Sequence, residues 1–242
     1  DYFSSKLNYA IIAAGNGSRL AQEGVAQPKP LVNVKGECLI ERLFRIFSQN
    51  NAENIFVICN EEMTDVAAFI REKQQQYPIH LLVKSTPSSM HSLFELSQIM
   101  RKEMKSDKFI LTTVDTIFDE AEFSDYVNSF AADNSADSMM GLTTYIDDEK
   151  PLYVGVDEAK NRITGYYDTQ NSCTHISAGI YGLSQKSFAI LDNCIETGQS
   201  RMRNFQRALV ANGLLLRPFV FSNVFDIDHA TDINKAEKYL NK

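Results

Sequence analysis

The sequence predicts one α/β domain, with a mostly parallel sheet that is flanked by helices and extended by a β-rich segment. Short apolar runs alternate with amphipathic helical stretches up to about residue 135, and this alternation is typical of right-handed βαβ units. After residue 135, short strands follow one another through short loops, which indicates strands added to a parallel core. The chain has 242 residues, of which 44% are hydrophobic, enough for one large core.

The first strand is predicted at residues 9–13, because a continuous apolar run that ends near a glycine is typical of a buried parallel strand. Residues 39–49 place apolar side chains at helical spacing and predict the first helix. By the same criteria, strands are predicted at 54–59, 79–83 and 109–114, and helices at 63–74 and 89–104.

The second half of the chain is predicted to contain more strands than helices. Strands are expected at 138–146, 153–156, 162–167, 176–183, 214–221 and 224–227, and helices at 187–194, 201–211 and 231–241. No internal repeat, low-complexity tract or Pro/Gly-rich linker interrupts the sequence. We therefore expect residues 1–242 to form a single domain.

The composition narrows the classes of partner. The net charge is −7, whereas general nucleic-acid binders carry a basic excess. No apolar run reaches the length of a membrane span, and residues 1–6 lack the long apolar segment of a secretory signal. The cysteines contain no CxxC pair and are expected to be buried, reduced thiols, at Cys38, Cys59, Cys173 and Cys194. These features predict a cytoplasmic protein that binds neither nucleic acid nor a membrane.

The most informative stretch is the Gly-rich loop, residues 15–19, which follows the first strand and reads Gly-Asn-Gly-Ser-Arg. Glycines let a backbone approach a ligand closely, and consecutive free N–H groups bind anions. Loops at the carboxyl ends of parallel strands are where open α/β sheets bind ligands. Arg19 adds a fork suited to phosphate oxygens, and Lys29 in Pro28-Lys29-Pro30 adds a compact charge.

Two other phosphate-binding motifs fit this loop poorly. A dinucleotide fingerprint, GxGxxG, requires a third glycine that the loop lacks, and the P-loop pattern GxxxxGK[ST] is absent. A GxG pair alone is also found in ordinary turns between a strand and a helix.

The longer string Ile-Ile-Ala-Ala-Gly-Asn-Gly-Ser-Arg at 11–19, followed by Pro28-Lys29, resembles the signature of the sugar-1-phosphate nucleotidyltransferases in the NTP transferase superfamily. It is also similar to the related phosphocholine cytidylyltransferases and molybdopterin-type nucleotidyltransferases. The stretches 109–115, 177–181 and 225–232 resemble further family motifs, so the similarity runs from about residue 9 to 241. It implies a Rossmann-like sheet of the nucleotide-diphospho-sugar transferase type, with an inserted β-rich acceptor region.

The resemblance also implies where substrates bind. The nucleotide-binding half is expected at about 8–135 and the acceptor-binding half at about 136–242. Arg19 and Lys29 are the expected catalytic residues. The expected nucleotide-binding residues are Ala13, Ala14, Gly15, Asn16, Gly17, Ser18, Ser85, Ser88 and Ser89, and the expected acceptor-binding residues are Gly155, Ser177 and Gly179. For Ser88 and Ser89, a plain helix N-cap is an equally good interpretation.

A magnesium ion is the implied cofactor, held by Asp115 and Asp228 with Asp226 as the alternative ligand. Asp115 ends an apolar strand, where a carboxylate faces the ligand crevice. Mg²⁺ prefers one or two protein carboxylates together with phosphate oxygens and water. Asp115 is also suited to cap a helix near residue 121, and Asp228 to cap the last helix.

The implied reaction transfers a nucleoside monophosphate from a nucleoside triphosphate to a phosphorylated small molecule and releases pyrophosphate. Sugar-phosphate members commonly show Glu-Lys after the strand that matches 162–165, but this chain reads Tyr166-Tyr167-Asp168. A hexose 1-phosphate, a less common sugar phosphate, phosphocholine and an amino-phosphonate all stay open as acceptors. The base, the pathway and the oligomeric state are not set by the sequence.

Two other functions are compatible with parts of the sequence. A catalytically silent regulatory or nucleotide-binding homologue would have the same fold, but it would not need Arg19, Lys29, Asp115 and Asp228 together. A metal-dependent glycosyltransferase would use a DxD motif such as Asp226-Ile227-Asp228, although that motif is expected nearer mid-chain. Neither alternative explains the Gly-rich loop with its following Pro-Lys as well.

Overall fold

A computed structural model describes residues 6–147 and 150–241 of the chain. The strands are β1 (Leu7–Ala13), β2 (Asn33–Val34), β3 (Glu37–Cys38), β4 (Ala52–Cys59), β5 (Ile79–Val83), β6 (Lys108–Thr113), β7 (Thr116–Ile117), β8 (Ser138–Thr143), β9 (Tyr153–Asp157), β10 (Arg162–Tyr167), β11 (His175–Ser184), β12 (Leu216–Phe221) and β13 (Phe225–Asp226). The helices are α1 (Ser18–Gln22), α2 (Leu39–Gln49), α3 (Thr64–Lys73), α4 (Ser89–Glu103), α5 (Glu120–Ala132), α6 (Lys186–Glu196), α7 (Met202–Ala211) and α8 (Ala230–Leu240). A 3-10 turn covers Lys29–Leu31.

The absence of a secretory signal was predicted mainly from residues 1–5, which lie outside the described residues.

A mixed sheet forms the centre of the molecule, and its core is parallel. β1 lies between β4 and β6 and runs parallel to both, and β5 continues the parallel set beyond β4. All seven residues of β1 are buried, as expected for a strand that is covered on both faces. Its side chains alternate between two hydrophobic cores, with Tyr9 and Ile11 in one and Ala10 and Ile12 in the other. The first core also contains side chains of α2, α3 and α5, and the second contains side chains of α4, α6 and α7. The predicted fold class is confirmed.

The β-rich segment joins the parallel core through the long strand β11. β11 runs antiparallel to β6 over 180–184, while His175 and Ile176 near its start pair with β9. On its other side β11 pairs with β8, and β8 in turn pairs with β12. Between Ser177 and Tyr181 the register against β8 shifts, so that β11 has two extra residues there. This bulge lies where β11 leaves β6 and approaches β9.

Most predicted elements agree with the structure to within a few residues. The helix at 39–49 and the strands at 79–83 and 162–167 have the predicted bounds. The strand predicted at 138–146 ends at Thr143. α1 was not predicted. α5 is the helix considered near residue 121, and it is capped by the Asp119 carboxylate, which accepts from Glu122 N, rather than by Asp115. The division of the domain near residue 135 stays a prediction.

The cysteines are free thiols, with Cys59 and Cys194 buried and Cys38 and Cys173 half-buried. Cys173 lies in the turn before β11 rather than in a strand or helix. In the part of the chain that the structure describes, every helix is too short or too polar to cross a membrane.

Candidate active site

The carboxyl ends of β1 and β6 form one side of a small cavity of about 160 Å³, which we call the loop cavity. Its lining residues come from β1, the Gly-rich loop, the 3-10 turn, the start of α4 and the end of β6. They are Ile12, Ala13, Gly15, Gly17, Lys29, Pro30, Ser89, Thr113, Val114 and Asp115. The structure therefore brings Ala13, Gly15, Gly17, Lys29, Ser89 and Asp115 together, at the edge of the sheet where α/β folds bind ligands. Four other predicted residues of the same stretch do not line this cavity: Ala14, Asn16, Ser18 and Arg19.

Lys29 lies between two carboxylates, of which Asp115 also lines the loop cavity and Asp228 lines a neighbouring pocket with Asp226. Its Nζ is 3.0 Å from Oδ2 of Asp115 and 3.3 Å from Oδ1 of Asp228. The side chains of Lys29 and Asp115 are 17% and 14% exposed, and that of Asp228 is 42% exposed. Burial lowers the pKa of Lys29, but the charges and hydrogen bonds of the two carboxylates outweigh burial and raise it. Lys29 is therefore a charged ammonium held inside the site.

Local backbone geometry sets the position of Lys29. Pro28 is extended and precedes the 3-10 turn, and Pro30 anchors that turn because its ring is buried. Gly17 precedes α1 with a φ of +61°, a conformation that favours glycine. A Cβ on Gly17 would be 3.4 Å from Cβ of Lys29, so the Gly-rich loop packs directly against the lysine.

The residues present fit a magnesium ion. The carboxylates of Asp115 and Asp228 already surround one cation, the ammonium of Lys29. Two carboxylates are the usual protein contribution to a Mg²⁺ site that is completed by phosphate oxygens. In the described residues, no group of three or more His, Cys, Asp or Glu side chains is placed to hold a metal.

Asp226 has a different environment from the other two aspartates. Oδ1 of Asp226 accepts from the Thr116 hydroxyl at 3.1 Å, and the hydroxyls of Thr116 and Thr113 are 2.5 Å apart. Asp226 is in the short strand β13, which pairs with β7. Its carboxylate therefore belongs to a hydrogen-bonded row with Thr116 and Thr113, while Asp228 lies with Lys29.

The segment before α8 is fastened to α1 through Glu23. Oε2 of Glu23 is 2.8 Å from Nδ1 of His229, and Oε1 accepts from Ala230 N at 2.7 Å. The Asp232 carboxylate accepts from the backbone N–H groups of Asp228 and His229 at 3.0 and 2.8 Å, in the first turn of α8, where a carboxylate favours the helix dipole. The hydrogen bond to Glu23 raises the pKa of His229, and the bonds from Ala230 and His229 lower the pKa of Glu23. Arg19 is exposed, and its charge acts on both Glu23 and His229.

The serines expected near the base occupy three different positions. Ser88 is the N-cap of α4, where its hydroxyl accepts from His91 N and lies 2.7 Å from His91 Nδ1. Ser89 lines the loop cavity. Ser85 donates to Asn60 Oδ1 at 3.0 Å, and Asn60 Nδ2 is 3.3 Å from the Ala14 carbonyl oxygen. Sequence reasoning missed Asn60, which ties the loop after β4 to the Gly-rich loop.

A second cavity of about 320 Å³ adjoins the first, because Ser89 and Thr113 line both. We call it the acceptor cavity because two of the residues that were predicted to bind the acceptor line it. These two residues are Ser177 and Gly179, and they lie at the bulge of β11. Gly155 lies apart, in a separate pocket between β9, β10 and the turn at 171–174. The other lining residues are Ser88, Lys150, Leu152, Ala178, Tyr181, Arg201, Met202, Arg203, Gln206 and Asp226.

Sequence reasoning also missed the basic residues of the acceptor cavity. The signal was the Arg-Met-Arg at the start of the predicted helix 201–211. Arg203 donates to Asp168 at 2.8 Å and to the Lys150 carbonyl at 3.1 Å, so Asp168 of the Tyr-Tyr-Asp stretch supports the cavity wall. Tyr166 is buried, as ordinary strand packing requires, and it does not line the acceptor cavity.

Comparisons with known proteins identify similar sequences. A family model described as the MobA-like NTP transferase domain matches residues 9–156. The chain is 25% identical over 240 residues to a protein named bifunctional protein GlmU from Methanococcus maripaludis strain C5, and 23% identical over 248 residues to its namesake from Methanococcus vannielii. These matches cover 96% and 98% of this chain but 54% and 55% of the relatives, so the chain spans about half their length.

Solved structures show the same fold. An inositol-1-phosphate CTP transferase from T. maritima superposes with a TM-score of 0.79 at 18% identity, covering 99% of this chain and 98% of that one. A CTP:phosphocholine cytidylyltransferase from Streptococcus pneumoniae gives 0.73 at 17% identity, covering 98% and 100%.

Proposed function

The chain belongs to the family of the MobA-like NTP transferase domain, and from this premise we propose that it transfers a nucleoside monophosphate from a nucleoside triphosphate to a phosphorylated small molecule, with release of pyrophosphate. The observation that carries the proposal is the ammonium of Lys29, which is held between Asp115 and Asp228 beside the Gly-rich loop. A half-buried cation that packs against a Gly-rich loop is suited to phosphate chemistry.

In the proposed reaction, an oxygen of the acceptor phosphate attacks the α-phosphorus in line, and the bond to the bridging oxygen of the leaving pyrophosphate breaks. The attacking phosphate oxygen is already ionised, so no side chain has to remove a proton. Catalysis then consists of positioning and of neutralising charge. His229 is bonded to Glu23 and is not needed as a base.

Each basic residue has its own role in this scheme. The backbone N–H groups of residues 15–17 and the Arg19 guanidinium bind the β- and γ-phosphates, while the Ser18 N–H donates to Asn16 Oδ1 and shapes the loop. Lys29 neutralises charge between the α-phosphate and the acceptor phosphate. Arg19 is exposed, and no side-chain hydrogen bond or ion pair is found for its guanidinium in the described part of the chain, so it is available to a ligand.

Asp115 and Asp228 would hold Mg²⁺, which supplies charge neutralisation and orientation of the phosphate oxygens when it is bound. Asp232 helps to fix Asp228 by accepting from its backbone N–H. The bulge of β11 and Thr113 would place the acceptor next to the loop cavity, because Thr113 lines both cavities.

The test is pyrophosphate release with Mg²⁺ and each of ATP, GTP, CTP, UTP and dTTP, against sugar 1-phosphates, inositol 1-phosphate, phosphocholine and 2-aminoethylphosphonate. We expect release with at least one pair and loss of release in Lys29→Ala. Lys102→Ala is the control, because Lys102 is exposed in the last turn of α4 and lines neither cavity.

Two other results would contradict the proposal. Tight triphosphate binding without pyrophosphate release for any pair would favour a silent nucleotide-binding homologue. Sugar transfer from a nucleotide sugar, again without pyrophosphate, would favour a glycosyltransferase.

A further inference from the structure

The acceptor cavity is more basic than a single transferable phosphate requires. Lys150, Arg201 and Arg203 line it, and Asp226 is the carboxylate in its lining. None of the three basic residues lines the loop cavity, where Lys29 already faces the reacting phosphates. The charge of the acceptor cavity is therefore additional to that of the catalytic lysine.

We propose that the acceptor carries, besides the phosphate that receives the nucleotide, a second anionic group that Arg201 binds. The proposal rests on the proposed function, because it takes this cavity as the acceptor site. A guanidinium offers a planar fork of donors that matches a carboxylate or a phosphate. The chemistry on the protein side is therefore the recognition of an oxyanion.

Arg201 differs from its neighbours because its charge is not used within the protein. Its backbone N–H is 3.4 Å from the Ser88 hydroxyl, but no side-chain hydrogen bond or ion pair of its guanidinium is found within residues 6–147 and 150–241. Arg203 and Arg207 both donate to Asp168. The charge of Asp168 is thus shared by two arginines, and Arg201 is the arginine of this cavity that is available to a ligand.

The backbone of Arg201 supports a functional role for its side chain. Its φ is +72° and its ψ is 136°, a conformation that favours glycine. The chain nevertheless places a long cationic side chain here, at the cavity and immediately before α7. Strained positions of this kind cluster at ligand-binding sites.

The remaining lining residues favour a hydroxylated frame over a quaternary ammonium group. Gln206 is 2% exposed, and its Nε2 is 3.0 Å from the Ser177 hydroxyl, so amide and hydroxyl groups face the cavity together. Tyr181 is the aromatic residue in the lining, and burial raises the pKa of its hydroxyl, which therefore stays a donor. Cation recognition uses several aromatic faces or free carboxylates, whereas Asp226 is bonded to Thr116. The matching acceptor class is a sugar phosphate with an added carboxylate or second phosphate.

The test is calorimetric binding of three ligands that share one sugar frame: glucose 1-phosphate, glucuronic acid 1-phosphate and glucose 1,6-bisphosphate. The full chain is used with Mg²⁺ and saturating α,β-methylene analogues of the nucleoside triphosphates, which cannot release pyrophosphate. We expect glucuronic acid 1-phosphate, glucose 1,6-bisphosphate or both to bind at least about 10-fold more tightly than glucose 1-phosphate, because charge-assisted hydrogen bonds have this magnitude. The two arms distinguish a carboxylate from a phosphate.

Variants then assign the effect to Arg201. Arg201→Gln should abolish the preference for the ligands with a second anionic group, and Arg201→Lys should retain part of it. Arg201→Gly should also abolish the preference, and it does so without backbone strain, because glycine adopts a positive φ freely. Arg71→Ala should leave it unchanged, since Arg71 is exposed on α3 and lines neither cavity. Phosphocholine should bind more weakly than all three sugar phosphates.

Equal binding of the three sugar phosphates, or binding of none, would overturn the proposal. The proposal would also be overturned if Arg201→Gln weakened binding of the triphosphate analogue and left binding of the sugar phosphates unchanged. Because these measurements need no turnover, they are independent of the pyrophosphate assay. Failure of that assay alone would overturn the proposed function while leaving the oxyanion site in place.

Discussion

At the scale of single residues, the charge balance around Lys29 determines what its removal should do. With Lys29→Ala, Asp115 and Asp228 would face each other without the ammonium between them. We expect turnover to fall at least about 10-fold, because one charge-assisted phosphate contact contributes roughly 1.5–3 kcal/mol. We also expect a lower melting temperature without Mg²⁺ and a larger rise on adding Mg²⁺ than in the wild type, since an added cation replaces the lost charge.

Lys102→Ala should show neither change, since Lys102 is exposed and outside the site. Thermal melting over a range of Mg²⁺ concentrations, without any substrate, measures how far Mg²⁺ raises the melting temperature of each variant. Turnover within twofold of the wild type would refute the role assigned to Lys29.

The three aspartates make a second residue-scale prediction. Asp115 and Asp228 bind Lys29, whereas Asp226 accepts from Thr116. Asp115→Asn and Asp228→Asn should therefore each raise the Mg²⁺ concentration needed for half-maximal activity, and Asp226→Asn should raise it much less. Mg²⁺ titrations of the three variants measure this. A larger shift for Asp226→Asn than for Asp228→Asn would mean that Asp226 is the ligand.

At the scale of elements, the bulge of β11 is the feature that opens the acceptor side. Bulges recur next to active sites because they redirect a strand and its side chains. Here the two extra residues fall between Ser177 and Tyr181, where β11 separates from β6. Gly179 lets the strand approach the row of hydroxyls that leads to Asp226, since a Cβ there would be 2.5 Å from Thr116 Oγ1 and 2.9 Å from Thr113 Oγ1.

Gly179→Ala should therefore destabilise the protein by about 1–3 kcal/mol, the usual cost of overpacking. It should also weaken acceptor binding, because Thr116 must move away from Asp226. Thr116→Ala removes the nearer clashing oxygen, so the double variant should recover part of the stability that Gly179→Ala loses. Urea unfolding of the two single variants and the double variant gives the coupling. Strictly additive effects would show that the close approach at Gly179 does not matter.

At the scale of the whole molecule, the parts of the fold that depend on local patterns were predictable. The parallel core follows from apolar runs and helical spacing, and Ser88 was recognised as a possible N-cap from its position alone. The position of Asp115 also follows from a rule, because ligand-binding residues gather at the carboxyl ends of parallel strands. Lys29 in its 3-10 turn and Asp228 after the antiparallel strand β13 meet Asp115 across 86 and 199 residues of chain from Lys29, and that rule does not predict their meeting.

Other features of the site could not be predicted for identifiable physical reasons. A two-residue bulge leaves the alternation of side chains unchanged, so the pattern of β11 does not reveal the shift after Ser177. The placement of Arg201 depends on the packing of α7 against α4, where its N–H meets Ser88. Glu23 meets His229 from 206 residues away, and no local pattern marks either residue as a partner of the other.

The contact between Glu23 and His229 connects two distant parts of the chain. It joins α1, the helix after the Gly-rich loop, to the start of α8. Its pH dependence follows from two opposite pKa shifts. The pKa of His229 is raised, mainly by its bond to Glu23 and also by Asp232, while burial and Arg19 oppose the shift. Its contribution to stability is therefore complete below the unfolded value of about 6.5 and is lost as the pH rises through the higher folded value. The pKa of Glu23 is lowered, chiefly by the Ala230 N–H, so its contribution is present above the unfolded value of about 4.3 and is lost as the pH falls through the lower folded value.

Both shifts contribute fully only between these two unfolded values, from about pH 4.3 to 6.5. Glu23→Gln removes the charge while keeping an oxygen that can accept from Ala230. The melting temperature of the wild type should therefore exceed that of Glu23→Gln by the largest margin near pH 5–6. The margin should shrink as the pH rises from the unfolded value of about 6.5 through the raised folded pKa of His229. Glu62→Gln is the matched control, since Glu62 is exposed in the turn before α3, and it should show no such pH dependence. In a His229→Asn background the pH dependence of the Glu23→Gln effect above pH 6 should disappear. A constant margin between wild type and Glu23→Gln from pH 5 to 9 would mean that the ion pair does not hold α1 to α8 in solution.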